Sequence, residues 1–313
     1  MNTYSRFIFL SLITILFSCG SDPKKPYKDT PTSGTVRIAG DETLAQLLDA
    51  NADTFMGLYR YATIQVEYGP EQDCFNKLLN DSAKVILSTR KLRKDEEAYF
   101  KSRNLYPVTT RIAVDGLAII INKENNDSLL RTDQLKAILQ GKVNDWKDIN
   151  SSSKLGEIRF VFDHTGSSTV RSLSDSLLNG KTEFPTNCFA VQSNPQVVDY
   201  VEQHAGAIGV IGVNWISDRD DPKQLSFSNR IRVARLSTKT EPAYPDDFFG
   251  PYQAYLFTGE YPLRRDVYLI NREGRNGLGT GFASFVAGEQ GQRIAKLSGL
   301  LPASPYTRDI ILR

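Results

Sequence analysis

Histidine, cysteine and tryptophan are all scarce in this chain, which carries 2 His, 3 Cys and 2 Trp in 313 residues. Two isolated histidines, His164 and His204, and three dispersed cysteines offer none of the spacings a zinc ion needs, so neither a metal nor another cofactor is expected. An excess of charge is missing as well: 38 basic against 36 acidic residues leave +2. So small a surplus supplies no field to gather a polyanion, which excludes nucleic acid as a partner. Long apolar runs are confined to residues 7–17, FIFLSLITILF, too short to cross a bilayer. No segment repeats at a solenoid period. What remains is an ordinary globular composition, 40% apolar and 24% charged, on a length that accommodates two domains with real cores.

Residues 1–18 read as a secretory signal, with Arg6 ahead of the apolar stretch. The signal ends in LFSCG, where Leu16, Ser18 and Cys19 are similar to the bacterial lipobox, whose cysteine is acylated and becomes the first mature residue. The alternative is an ordinary signal in which Cys19 is incidental. Residues 19–33 are rich in Pro, Ser and Lys with almost nothing to bury, the composition of a lipid-anchored flexible tether ahead of a body that starts near Gly34. Export permits a disulfide between Cys74 and Cys188. The two are expected in different lobes, where a bridge would oppose hinge motion, and isolated buried thiols are the expected state.

Strand-like and helix-like stretches then alternate. Residues 34–40, 62–69 and 83–88 read as strands, each leading into a helical pattern over 41–59, 71–81 and 89–104; Leu44, Leu47, Leu48 and Phe55 mark the first helix. The pattern restarts with a long strand over 112–122, a helix over 131–146, a strand over 157–162, a helix over 168–179, and a helix and strand joined at Gly206. A polar, loop-rich region over 217–250 separates these from a strand over 264–271 and a closing helix over 278–303 with Phe282, Phe285, Val286 and Ile294 on one face. Such alternation predicts parallel sheet with helices on its faces.

One junction stands out. FDHTGSSTVRSL (162–173) carries Thr165, Gly166, Ser167, Ser168 and Thr169 between a strand and a helix. Open parallel sheets bind ligands beyond the carboxyl ends of their strands, where helix N-termini supply free N–H groups and a partial positive charge that favour a small anion. AGDETLAQ places Thr43, and VILSTRKL places Ser88, Thr89 and Arg90, at two similar junctions. Any one hydroxyl there serves equally as a helix N-cap. Four consecutive small residues from Gly166 to Thr169 exceed what a cap requires, and an oxyanion cradle is the expectation. The loop is neither a Walker loop nor a nucleophile elbow, since it has no following Lys at the needed spacing and no G-x-S-x-G.

The order IAVDGLAIIIN, DQLKAILQGKVNDWKDI, GSSTVR, GAIGVIGV, YPLRRDVYLIN and FASFVAGEQGQRIAKLSGLLP resembles the PstS-type phosphate-binding periplasmic proteins of ABC transporters over residues 34–302. The resemblance implies the type II periplasmic-binding fold: two α/β lobes with parallel-dominated sheets, helices on both faces, and a ligand cleft between the lobes. Residues 34–112 with 260–313 would form one lobe and 113–259 the other, with crossings near 108–114 and 259–266. It further implies a monomeric, non-enzymatic protein at the periplasmic face or cell surface that captures phosphate or a related oxyanion by hinge closure and passes it to a membrane permease. By position, Thr43, Ser88, Thr89, Arg90 and the run Gly166, Ser167, Ser168, Thr169 match the family's ligand-binding segments. The family's usual Arg three residues before the glycine and Asp immediately before it are Asp163 and Thr165 here. Arg90 or Arg171 would then supply the counter-charge, unless each is a surface arginine.

A buried carboxylate accepts a hydrogen bond from the proton that phosphate retains near neutral pH, whereas fully ionised sulfate meets repulsion. Asp163, Asp115 and Glu42 are the candidates. Two other readings stay open: a sensor or scavenger with no permease of its own, and a phosphoryl-transfer enzyme using Asp163 or His164 as nucleophile.

Overall fold

The computed structural model describes residues 28–181, 183–217 and 229–304; the expected signal, Cys19 and the first part of the tether lie outside them. The chain builds β1 (Ser33–Asp41), α1 (Ala45–Leu58), β2 (Tyr61–Gly69), α2 (Glu71–Leu79), β3 (Val85–Ser88) and α3 (Lys94–Lys101). β4 (Val108–Asn122), β5 (Leu129–Arg131), α4 (Thr132–Leu139), β6 (Arg159–Phe162) and α5 (Ser168–Leu178) follow. Next come β7 (Cys188–Ala190), α6 (Asn194–Gln203), β8 (Ala207–Gly212), β9 (Ile231–Val233), β10 (Arg235–Ser237) and α7 (Gln253–Thr258). β11 (Arg264–Asn271), α8 (Leu278–Ala287), α9 (Glu289–Leu297) and β12 (Leu301–Pro302) complete the described part.

The main sheet runs β2-β1-β3-β11-β4-β8-β6-β7, with β9 and β12 also paired to β4. The strands towards its two ends are parallel, as the alternation predicts: β1 with β2 and β3, and β6 with β7 and β8. The strands between them are antiparallel, β11 to both β3 and β4, and β4 to β8. β4 belongs to both halves of the molecule. Its residues up to Gly116 pair with β11, and those from Leu117 pair with β8. The VDGLAIII run suits this course, because every residue from Ile112 to Asn122 is buried and a strand covered on both faces needs continuous apolar side chains.

One core packs Ile38, Leu47, Phe55, Leu269 and Phe282 between β1, β11, α1 and α8. Another packs Ile119, Leu135, Trp146, Phe160 and Leu173 on one face of the β4–β8–β6 half. Tyr261 and Leu263, on the return from α7 into β11, belong to the second core.

The residues just before β1 depart from the expected free tether. Asp29 accepts a hydrogen bond from Leu278 N (2.9 Å) and pairs with Arg275 (2.5 Å), so residues 28–33 are pinned at the start of α8. Gly281 makes this docking feasible: a Cβ there would stand only 1.8 Å from the carbonyl oxygen of Pro31. The expected closing helix is two helices, broken where Gly288 takes an extended ψ of −177°. The region expected to be loop-rich contributes β9 to β4, and β10 forms a separate parallel pair with β5. Cys74 and Cys188 are both free thiols, the first buried and the second half-buried, so only one of them meets the expectation of burial.

Candidate functional site

The carboxyl ends of β1, β3, β6 and β8 come together, and the residues that follow them carry the polar chemistry. Asp41, the last residue of β1, caps the 3-10 turn Glu42–Leu44 by accepting from Thr43 N (2.9 Å) and from the Thr43 hydroxyl. Its second oxygen, Oδ2, accepts from the backbone N–H of Ser168, the first residue of α5 (3.2 Å). Thr43 Oγ1 and Ser168 Oγ lie 2.8 Å apart. Two side chains of the turn after β8 close over the same place, since Asn214 Nδ2 and Trp215 Nε1 each donate to the Thr43 carbonyl at 3.0 Å.

Arg265 supplies the buried positive charge. It stands opposite Asp115 in the β11–β4 register, donates from Nε to Asp115 Oδ2 (2.9 Å), and donates from Nη1 to Ser168 Oγ (2.9 Å). Asp115 completes the link to β8 by accepting from Val213 N (3.2 Å). Arg265 Nη2 is 2.9 Å from Asp115 Oδ2, at an angle that makes no hydrogen bond.

A second cluster adjoins the first. Glu71, at the start of α2, accepts through Oε1 from Ser88 Oγ (2.9 Å), Thr89 N (3.0 Å) and Thr89 Oγ1 (2.9 Å). Its Oε2 takes Arg171 Nε of α5 at 2.6 Å, while Arg171 Nη2 donates to Thr89 Oγ1 (2.7 Å). Burial alone would push the Glu71 carboxyl up; the Arg171 guanidinium and the two hydroxyls hold it below the usual carboxylate range.

The other carboxyls have less compensation. Burial raises Asp41 to about 6, against the pull of Arg265 and with the push of Glu71 and Asp163. Burial likewise raises Asp163, opposed by Ser167 and His164, and Asp115, opposed by Arg265. Glu42 is half-buried and raised for the same reason.

Thr43, Ser168, Asp115 and Arg171 thus meet within this network. Ser88 and Thr89 are tied to it through Glu71. Ser167 divides its hydroxyl between capping α5, where it accepts from Val170 N (3.2 Å), and donating to Asp163 Oδ1 (2.6 Å). Gly166 is exposed and lies against Pro70, ahead of α2. Arg90 is shared: both its Nη atoms donate to Glu96 (2.7 and 2.8 Å) and its guanidinium sits 3.3 Å over the Phe75 ring, while its Nε lies 3.8 Å from Glu71 Oε2. Besides Arg90 and Arg171, the positions expected to carry a counter-charge, the structure brings the buried guanidinium of Arg265 into the Asp41–Ser168 network. Asp41, Glu71, Arg265 and Asn214 escape a reading of the sequence by junctions. Asp41 is the nearest to being legible, since it ends a strand one residue ahead of Glu42.

Several buried polar atoms at this site have no hydrogen-bond partner among the described residues: Asp163 Oδ2, Thr169 Oγ1, Asn214 Oδ1 and Arg265 Nη2. Buried polar groups are nearly always paired, so a set of four around one cluster marks a place for a polar guest. Gly212 borders it. A Cβ at Gly212 would fall 2.5 Å from Asn214 Oδ1, 3.3 Å from Asp115 Oδ2 and 3.5 Å from Arg265 Nη2. Gly212→Ala is therefore expected to push Asn214 off the Thr43 carbonyl, lowering stability in urea by about 1–3 kcal/mol, with a matching loss of the Trp215 fluorescence signature that its bond to Thr43 imposes.

Comparison with known proteins shows the family and the fold. A family described as the PBP superfamily domain matches residues 25–290. A protein of Pseudomonas aeruginosa named phosphate-binding protein PstS is 24% identical over 298 residues, covering 90% of this chain and 87% of the relative. One of Borreliella burgdorferi with the same name is 21% identical, covering 94% and 96%. Among solved structures, an ABC-type phosphate transport receptor from Vibrio cholerae superposes with a TM-score of 0.63 at 19% identity, over 85% of this chain and 99% of its own. A phosphate-binding protein from Stenotrophomonas maltophilia gives 0.67 at 15% identity, over 87% and 91%. These solved structures share the fold.

Proposed function

The chain belongs to the PBP superfamily, and from that membership we propose that it is an extracytoplasmic solute-binding protein that captures inorganic phosphate and delivers it to an ABC import permease. Among the described residues, those up to Gly116 with those from Arg264 form one lobe and those from Leu117 to Leu263 the other, a few residues along from the boundaries expected at 112–113 and 259–260; the lobes close on each other about the Gly116–Leu117 step of β4. The protein acts as a monomer tethered through a lipid on Cys19. It performs no turnover, and a phosphate ester is expected to remain intact in its presence.

The observation that carries this reading is the mixed character of the unpartnered buried atoms. Arg265 Nη2 and the Thr169 hydroxyl are donors, while Asp163 Oδ2 is an acceptor. A guest that satisfies all three has oxygens to accept and a proton to give. Phosphate near neutral pH has both, whereas sulfate has no proton and would leave Asp163 facing an anion. The donors also suit the ligand's charge, because hydrogen bonds to charged groups contribute roughly 1.5–3 kcal/mol.

Calorimetry tests the reading. Phosphate and arsenate are expected to bind, sulfate and molybdate to give no heat, and Thr169→Val to weaken phosphate by roughly ten- to a hundredfold. Since the Thr169 hydroxyl has no hydrogen-bond partner among the described residues, that variant should fold as the parent does. Equal heats for sulfate and phosphate, or an unaltered affinity in Thr169→Val, would remove the basis for phosphate.

A further inference from the structure

We infer, building on the phosphate reading above, that Asp41 is an internal competitor for the anion: its carboxylate occupies the amide and hydroxyl donors that an oxyanion requires, and the ligand binds by taking them over as Asp41 gains a proton. The carboxylate does more than cap its own turn. Oδ1 does that job, on Thr43 N and the Thr43 hydroxyl. Oδ2 crosses to a helix that begins 127 residues later, where it accepts from Ser168 N. That helix already has a cap of its own in Ser167, which accepts from Val170 N. A second acceptor at the same N-terminus is a carboxylate in the position where free N–H groups and the helix dipole favour an anion.

Asp163 Oδ2 and Thr169 Oγ1, which have no hydrogen-bond partner among the described residues, and Arg265 Nη2, held only by its ion pair with Asp115, supply independent support. They belong to the elements whose donors Asp41 and Ser168 already use, so the guest they imply shares a neighbourhood with the Asp41 carboxylate. An ionised Asp41 and an oxyanion cannot both use Ser168 N and Thr43 N. At contact distance they also repel each other, in surroundings drier than water.

The charged and titratable groups around Asp41 are unevenly signed. Arg265 of β11 favours its ionised form; Glu71 of α2 and Asp163 beyond β6 oppose it. Cys74 of α2 faces it as a neutral thiol that burial and Asp41 push up to about 12. Asp115 of β4 is taken up by Arg265, and Glu42 and His164 interact with each other and with Asp163 rather than with Asp41. Burial, with this balance, holds Asp41 at about 6, so its proton is within reach at physiological pH. Once protonated, the carboxyl releases one set of donors and becomes a donor itself.

The consequence is a pH dependence belonging to the protein, over and above that of phosphate. Above pH 6 the wild-type protein is expected to lose about tenfold in affinity per pH unit relative to a variant with no ionisable group at position 41. The experiment is phosphate calorimetry at pH 5.5 and pH 8 on the wild-type protein, Asp41→Asn and Asp41→Ser. The serine variant keeps a hydroxyl cap for Thr43 N should the amide fold poorly. Comparing variants at one pH cancels the ionisation of phosphate itself. At pH 8 both variants are expected to bind about a hundredfold more tightly than wild type, with the three converging at pH 5.5. Weaker binding in both variants would make Asp41 a partner of the ligand, and equal binding at both pH values would make it a structural cap; either result overturns the inference while leaving phosphate capture intact. Absence of phosphate heat from all three proteins at both pH values would sink the phosphate reading, and this inference with it.

Discussion

Arg265→Gln is expected to bind phosphate at least about a thousandfold more weakly than the parent and to lose about 3–5 kcal/mol of stability. Arg265 is only 6% exposed, and it neutralises an Asp115 that is completely buried. Truncating one member of a buried ion pair leaves the other charge without compensation, which is the expensive outcome. Replacing both with apolar groups is often neutral. The double variant Arg265→Met, Asp115→Leu should therefore recover most of the lost stability in urea titration while recovering none of the phosphate affinity. That divergence separates the arginine's part in holding the two strands together from its part in holding the anion. Arg265→Lys is expected to fall between, because an ammonium cannot serve Asp115 and Ser168 at once through a planar fork. A single Arg265→Gln protein that binds phosphate normally would show that Arg265 is purely a strand-pairing residue.

The second large effect is expected at Glu71. Its two oxygens collect donors from the end of β3, from Thr89 just beyond it and from α5, and its side chain is 4% exposed. Glu71→Ala strands Ser88 Oγ and Thr89 N in the interior and frees Arg171, with an expected loss of about 3 kcal/mol. The sign of the pH dependence follows from a carboxyl held below its ordinary 4.5. The stability that Glu71 contributes is complete above pH 4.5 and is lost as pH falls through its lower value in the folded state. Wild type and Glu71→Ala should accordingly unfold at increasingly similar urea concentrations as pH is lowered from 6 to 3. A gap between them that stays constant over that range would mean that the ionised carboxylate does not carry the effect. Since Arg171 comes from the opposite half of the sheet, the variant is also expected to release phosphate faster by stopped-flow Trp fluorescence.

The strands at the ends of the sheet and the loops after them were open to reading from the sequence because they rest on local signals: alternation, helical spacing, and hydroxyls at strand-to-helix junctions. Thr43, Ser88 and the Ser167–Thr169 run were found this way. Asp115–Arg265 was not, for a physical reason. The two residues stand 150 apart and meet only because β11 pairs antiparallel with β4 in one register, which no local pattern encodes. Glu71 shows a different limit. A glutamate in the first turn of a helix is ordinary dipole chemistry, and its role emerges only when β3 and α5 bring Ser88, Thr89 and Arg171 to it. Arg90 illustrates a third limit: its segment is legible, but the sequence does not show that the guanidinium divides itself between Glu96 (2.7 Å) and Glu71 (3.8 Å).

The pinned segment ahead of β1 has a mechanical consequence. β1 is nine residues long, with the Asp29-clamped lead at its Ser33 end and Asp41 at the other, a span of about 30 Å at strand rise. Any pull applied to the chain ahead of Asp29 would be borne first by the bonds of Asp29 to Leu278 and Arg275, at the opposite end of the strand from Asp41. Under the tether proposed at Cys19, the drag of an anchor would reach the anion-binding end of the strand only after that clasp gave way.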